Sequence, residues 1–133
     1  MATNDELHQI IARNVARRAD AGAADSVVLW ERLSIELIAI IGRNGFHTLY
    51  ARSIHMVRIR HPWLAEDADP RFEKLRTSLE HQAPALAAEA SIALLNTFID
   101  TLIQLIGEPL TTAIMRSAWD HDTVNTVAKG IQQ

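Results

Sequence analysis

The side chains best suited to chemistry lie in one basic stretch near the middle of the chain. No Asp or Glu occurs between Leu37 and Ala65. The stretch carries three histidines and four arginines: His47, His55, His61, Arg43, Arg52, Arg58 and Arg60. Such a cluster can hold a phosphate, a nucleotide or an acidic partner. The alternative, which we favour, is a solvated helix face balanced by the acids of the following AEDADPRFE segment.

Metal ligands at the usual spacings are absent from the sequence. There is no cysteine, which excludes disulfides, thiolate metal sites and cysteine nucleophiles. No two histidines are four residues apart, and neither His-Glu-x-x-His nor Glu-x-x-His occurs. Asp120-His121-Asp122 is at most a surface site, and a haem held by one histidine stays open as an alternative. We predict no metal and no cofactor.

No catalytic motif stands out either. The segment IGRNGF has two glycines, but a helix cap and a turn explain them without a phosphate-cradling loop. None of the six histidines has the Lys-Gly context that resembles known phosphotransfer domains. The expectation is a protein that is not an enzyme, with an undetected enzyme as the third alternative.

Composition indicates one soluble domain, residues 1–133. The chain is 48% apolar and has a net charge of −3, so it can build a core but has no overall positive field to attract nucleic acid. The N-terminal residues place acids before bases and do not resemble a signal peptide. The apolar run Ala90–Gly107 carries Asn96, Asp100 and Gln104 on one side, which is typical of a core helix. We therefore expect a cytoplasmic protein that binds neither membrane nor nucleic acid.

Proline, glycine and capping residues divide the chain into helices. No segment alternates apolar and polar residues long enough to be a strand. Helices are predicted over Asp5–Ala19, from Asp25 or Ser26 to Ile41, over Gly45–Arg60, from a cap at Asp69 with Pro70 to His81, over Pro84–Ile106, and from Pro109 past Trp119. The fold class is all-α.

A helix-Gly-turn-helix unit occurs twice. LIAIIGRNGFHTLYARS, Leu37–Ser53, and LIQLIGEPLTTAIMRS, Leu102–Ser117, both run an apolar helix into Ile-Gly and then a second helix to Arg-Ser. Aligning the Arg-Ser pairs makes the second copy one residue shorter after the turn. This predicts a bundle of five to six helices whose four-helix core comes from a duplicated unit, with pseudo-repeats over about 5–61 and 70–128. The alternative is that two unrelated apolar hairpins share a glycine cap.

That alignment also predicts which side chains face the core. The buried positions are Phe46, Leu49, Tyr50, Ser53 and Val57, and in the second copy Leu110, Ala113, Ile114, Ser117 and His121. Both serines should bond the carbonyl four residues back. Arg52 and Arg116 should lie at the edge of this stripe and pair with Glu31, Glu36 or Asp100.

One helix has more apolar surface than one core can cover. The segment from Asp25 to Ile41 is apolar nearly all round, so either the N-terminal helix or a second subunit must cover its outer face. Met115, Trp119 and Ile59 also fall off the predicted core stripes, which adds to the case for an oligomer interface. The sequence predicts a homodimer interface formed by Val28, Ile35, Ala39, Met115 and Trp119.

Two segments carry a family resemblance. GFHTLYARSIHMVRIRHPWL, Gly45–Leu64, and ALLNTFIDTLIQLIGEPLTTAIMRSAW, Ala93–Trp119, resemble a small helical module of proteobacterial proteins, found alone and beside signalling domains such as sensor kinases. The resemblance spans Val28–Trp119. It implies a regulatory role and carries over no catalytic residue.

Two functions follow as hypotheses. The first is a non-enzymatic protein-interaction or regulatory module in bacterial signalling, acting as a homodimer and with a signalling protein as a further partner. The alternative is a sensor that holds an anionic or apolar small molecule between the two hairpins, near Arg52, Arg116, Tyr50 and His55. A cavity bordered by both arginines would favour the sensor, whereas a filled core and an apolar outer patch would favour the interaction module.

Overall fold

The computed structural model is an all-α bundle, as the sequence predicts. It describes residues 4–19, 27–66 and 72–119, and within these ranges it has no strand. The helices are α1 (Asn4–Ala19), α2 (Val27–Val57), α3 (Glu73–Glu80), α4 (Pro84–Ile106) and α5 (Glu108–Trp119). α2 is bent at Gly42 into a first arm, residues 27–41, and a second arm, residues 43–57.

Two glycines end the apolar helices at the predicted positions and make the sharp corners of the bundle, although with extended ψ and not in the left-handed helical conformation expected of a helix cap. Gly42 has φ 80° and ψ 165°, and Gly107 has φ 91° and ψ 158°. This combination of positive φ and extended ψ is accessible essentially to glycine alone, because a Cβ atom would clash with the local backbone. A new helix begins directly after each glycine. The local backbone conformation, and not a lack of space beside other parts of the fold, requires glycine at position 42, since a Cβ there would meet nothing within 4 Å beyond its own chain neighbours.

Gly42→Ala should therefore destabilise the fold through the backbone. We expect a loss of about 1–3 kcal/mol in the free energy of unfolding, measured by urea denaturation followed by circular dichroism. Gly45→Ala is the matched control, because Gly45 has an ordinary helical conformation and its added Cβ would lie 3.3 Å from Ile41 Cβ. That control should change stability by less than about 1 kcal/mol in either direction. Equal losses in the two variants would contradict the backbone explanation.

The structure corrects the alignment of the two hairpins. In the first arm of α2 and in α4, the buried residues correspond at an offset of 65, with Leu29, Leu33 and Leu37 matching Leu94, Phe98 and Leu102. The offset stays at 65 after the glycines, where Tyr50 and Ser53 match Met115 and Ala118. The buried positions of the two hairpins therefore align without the one-residue deletion that the Arg-Ser pairs suggest. Duplication of the unit stays a prediction.

The offset of 65 rotates the buried face of α5 by one residue from the predicted face. This rotation decides which predicted core residues are buried. Phe46, Tyr50, Ser53 and Val57 are buried and Leu49 is partly buried, as predicted. Of the core positions predicted in α5, Ile114 is buried, whereas Leu110, Ala113 and Ser117 are exposed. His121 lies outside the described residues. α5 instead buries Thr111, Thr112, Ile114, Met115, Ala118 and Trp119.

The two serines show the consequence of that rotation. Ser53 is 1% exposed, and its hydroxyl donates to the Leu49 carbonyl at 2.8 Å, as predicted. Ser117 lies on the outside of α5, so the prediction for it is wrong. Its hydroxyl donates to Glu36 Oε1 at 3.0 Å.

Five aromatic rings form the centre of the core. Their centroids are 5.0–6.2 Å apart in seven pairs, several of them edge-to-face. The rings come from both arms of α2, from α4 and from the residue before α3: Trp30, Phe46, Tyr50, Phe98 and Phe72. The centre of the space between the two hairpins is therefore filled by side chains.

α3 begins later than predicted. Asp69 and Pro70, the predicted cap and first residue, lie outside the described residues, and the helix starts at Glu73. Phe72 precedes it with φ 58° and ψ 21°, a left-handed conformation that is unfavourable for a bulky side chain. Its ring is 2% exposed, so burial in the aromatic cluster offsets that cost.

α4 is the central helix of the bundle. By length and composition it is the one helix in the described ranges that could span a membrane. In the structure it packs against α1, α2 and α5, and Leu94, Leu95, Phe98 and Leu102 are fully buried. Its apolar composition is therefore explained by its position in the core.

Candidate functional site

The outer face of the first arm of α2 carries a line of apolar side chains. Val28, Ile35 and Ala39 lie seven and four residues apart, so they share one face of the helix. Ile35 is 71% exposed, Ala39 is exposed and Val28 is partly buried. We call these three residues the α2 outer line. They are the part of the predicted interface that the structure places on the surface.

The helices packed around α2 leave this line open. α1 packs along α4 and also contacts α5, with His8 Nε2 2.7 Å from Asp100 Oδ1. The sequence left open whether the N-terminal helix covers α2, and the structure places that helix on α4. The reason is that α1 buries Leu7, Ile11 and Val15 against the bundle core.

The remaining interface residues, Met115 and Trp119, are not on the surface. They are 1% and 3% exposed, which corrects the prediction for both. The indole Nε1–H of Trp119 donates to the Leu29 carbonyl at 3.0 Å. Together with the Ser117–Glu36 contact, this bond joins α5 to the first arm of α2. Trp119 therefore holds α5 against α2 within one chain, and Met115 is part of the buried core.

The residues predicted for the ligand site do not form one site. The Tyr50 ring is 2% exposed and lies among Trp30, Phe46 and Phe72, at centroid distances of 5.0, 6.1 and 5.2 Å. A ring enclosed in this way cannot line a pocket between the hairpins. Arg52 and His55 are exposed on the second arm of α2.

The predicted acidic partners of Arg52 and Arg116 are engaged elsewhere. Glu31 Oε1 lies 3.3 Å from Arg76 Nη2, Glu36 accepts from Ser117, and Asp100 contacts His8. Within the described ranges, neither Arg52 nor Arg116 forms an ion pair.

The basic stretch divides into structural and exposed residues. Arg58 donates from Nε to the Leu64 carbonyl at 3.0 Å and from Nη2 to the Pro62 carbonyl at 3.3 Å, and its Nη1 lies 3.8 Å from Glu66. Arg58 therefore holds the turn that follows α2. His61 is 7% exposed, with its ring 5.9 Å from that of Trp63. The residues left on the surface are Arg43, His47, Arg52, His55 and Arg60.

Arg116 lines a cleft that the sequence did not suggest. The cleft lies between α1 and α5, has a volume of about 310 Å³, and is lined by Ile10, Arg13, Asn14, Arg17, Met115 and Arg116. We call it the α1–α5 cleft. Arg13 and Arg17 are four residues apart on α1, and this spacing was the available signal. It did not reveal the site because only the tertiary packing brings Arg116 beside α1.

No metal centre is seen in the part of the chain that the structure describes, since no three His, Asp or Glu side chains cluster there. The Asp120-His121-Asp122 segment lies outside the described residues.

Comparison with known proteins adds no relative. No family model matches the chain, and no curated protein or solved structure matches it. The fold defines the class, an all-α helical bundle, and the function has to be inferred from the surfaces just described.

Proposed function

We propose that the chain is a non-enzymatic helical interaction module that acts as a homodimer through the α2 outer line. The observation that carries the proposal is the 71% exposure of Ile35, which shares a face with the exposed Ala39 on a helix whose inner face is buried. An exposed apolar line on a helix is typical of a surface that a partner covers. The aromatic cluster that fills the centre of the space between the hairpins also supports interaction over ligand storage there.

A second copy of the chain is the partner proposed for this line. Two first arms related by a twofold axis would pack their outer lines against each other, and each line would contact its own counterpart. Ala39 suits close approach of two helix backbones because its side chain is small. The cytoplasmic, bacterial and signalling parts of the proposal are supported by composition and by the resemblance of Gly45–Leu64 and Ala93–Trp119 to the proteobacterial module. A signalling protein would be the further partner of the dimer.

Ile35→Glu should convert the dimer to a monomer. The substitution removes two buried isoleucines from a symmetric interface and places two like charges there, so the dissociation constant should rise at least about 100-fold. Native mass spectrometry and sedimentation across a concentration series measure this change. The wild-type protein should be measured as a particle with twice the mass of a single chain.

Ile59→Glu is the matched control, because Ile59 is 79% exposed and lies in the turn after α2, away from the outer line. It should remain dimeric. A monomeric wild-type chain, or dimers that persist in Ile35→Glu, would refute the proposed interface. If Ile59→Glu lost the dimer while Ile35→Glu kept it, the interface would have to be assigned to the end of α2.

A further inference from the structure

The α1–α5 cleft concentrates positive charge in an acidic protein. Arg13, Arg17 and Arg116 are exposed at its rim, and no Asp or Glu of the described ranges is among its lining residues. None of the three forms an ion pair with another residue of the described ranges. Like charges four residues apart on a helix destabilise it, and the third arginine adds to that repulsion. An anion in the cleft would relieve it.

The floor of the cleft is apolar and fixed. Ile10 is partly buried and Met115 is 1% exposed, so both are held by the packing of α1 and α5. Asn14 is 9% exposed, and its side-chain amide Nδ2 donates to the Ile10 carbonyl at 2.8 Å. A ligand would therefore meet a preformed site with an apolar base and a cationic rim, an arrangement common in small-molecule sites.

We propose that this cleft binds a small phosphorylated molecule. Guanidinium groups bind phosphate through paired N–H donors, and a phosphate monoester offers three acceptor oxygens and nearly two negative charges. A single carboxylate offers two oxygens and one charge, so it satisfies three arginines less well. An apolar or planar part of the ligand would lie against Ile10 and Met115. The volume of about 310 Å³ suits a molecule the size of a nucleoside monophosphate.

Calorimetric titration of the full chain tests this assignment. The probes are adenosine monophosphate, which has a ring and a phosphate, inorganic phosphate, which has no apolar part, and acetate, which has a single carboxylate. Adenosine monophosphate should bind with a dissociation constant below about 1 mM and more tightly than inorganic phosphate. Acetate should bind most weakly. Equal binding of all three would show general anion attraction and would overturn the assignment.

Arginine variants locate the binding. Arg116→Ala and the double variant Arg13→Ala/Arg17→Ala should each weaken adenosine monophosphate binding at least about tenfold, because each removes charge-assisted hydrogen bonds. Arg52→Ala is the control, since Arg52 is exposed on α2 and does not line the cleft. It should change the affinity less than about twofold.

Three results would overturn the proposal: no binding of adenosine monophosphate or inorganic phosphate up to about 5 mM, unchanged affinity in both cleft variants, or an equal loss in Arg52→Ala. Melting temperatures of all variants should match the wild type. Where an alanine variant melts early, Arg116→Gln gives the same test, because it removes the charge and keeps part of the side-chain packing. The outcome is independent of the dimer, whose interface is tested by Ile35→Glu.

Discussion

Trp30→Ala should lower the free energy of unfolding by about 3–5 kcal/mol. Trp30 is 1% exposed, and its ring contacts Tyr50, Phe72 and Phe98 at centroid distances of 5.0, 6.2 and 5.0 Å. Removing it leaves a cavity where both arms of α2, α4 and the start of α3 meet. A loss of this size is a large part of the stability of a typical domain, and the melting temperature should fall by roughly 10–20 °C.

The control for Trp30 is a tryptophan outside the cluster. Trp63 is partly buried and packs against the His61 ring at the edge of the core. Trp63→Ala should cost less than about 2 kcal/mol, because less of its surface is removed from water. Urea denaturation followed by circular dichroism at 222 nm compares the variants without relying on tryptophan fluorescence. Equal losses would contradict the central position of the aromatic cluster.

Trp119→Ala should destabilise each chain by about 3–4 kcal/mol and leave the dimer intact. The side chain is 3% exposed, and its Nε1–H donates to the Leu29 carbonyl at 3.0 Å, so it joins α5 to the first arm of α2. Its loss should therefore separate two elements of one chain. Denaturant unfolding measures the first effect, and sedimentation of the folded variant measures the second.

Trp119→Phe separates packing from hydrogen bonding at this position. Phenylalanine keeps a ring in the core but has no N–H, so this variant should cost about 1–2 kcal/mol. The opposite pattern would be a Trp119→Ala chain of nearly unchanged stability that no longer dimerises. That result would restore the interface role predicted for Trp119 from the sequence.

The two proposals use different parts of the bundle. The α2 outer line is an apolar surface suited to a second copy, whereas the α1–α5 cleft is a cationic site suited to a phosphate. Of the residues predicted for the interface, Ile35 and Ala39 are exposed and Val28 is partly buried, and sequence patterns pointed to them because an excess of apolar residues on one helix is visible in the sequence alone. Arg13 and Arg17 went unrecognised because their third partner, Arg116, is about one hundred residues away in the chain.

The all-α class, the ends of several helices and the two sharp corners follow from local chemistry. Gly42 and Gly107 adopt a backbone conformation that other residues avoid, and Pro84 suits only the first turn of a helix. The Ser53 bond to Leu49 also forms within one turn of helix. Such features depend on neighbours in the sequence, so the sequence alone determines them.

The rotation of α5 and the position of α1 were decided by tertiary packing. α5 has apolar residues on more than one side, with Leu110, Ile114, Met115 and Trp119 spread around it. The face predicted from the sequence and the face rotated from it by one residue are therefore almost equally apolar. Packing against α2 selects the face with Met115 and Trp119 because the indole reaches the Leu29 carbonyl there. α1 likewise lies on α4, beside Asp100, although α2 offered an apolar face. A helix with several apolar faces acquires its orientation only from the helices that it packs against.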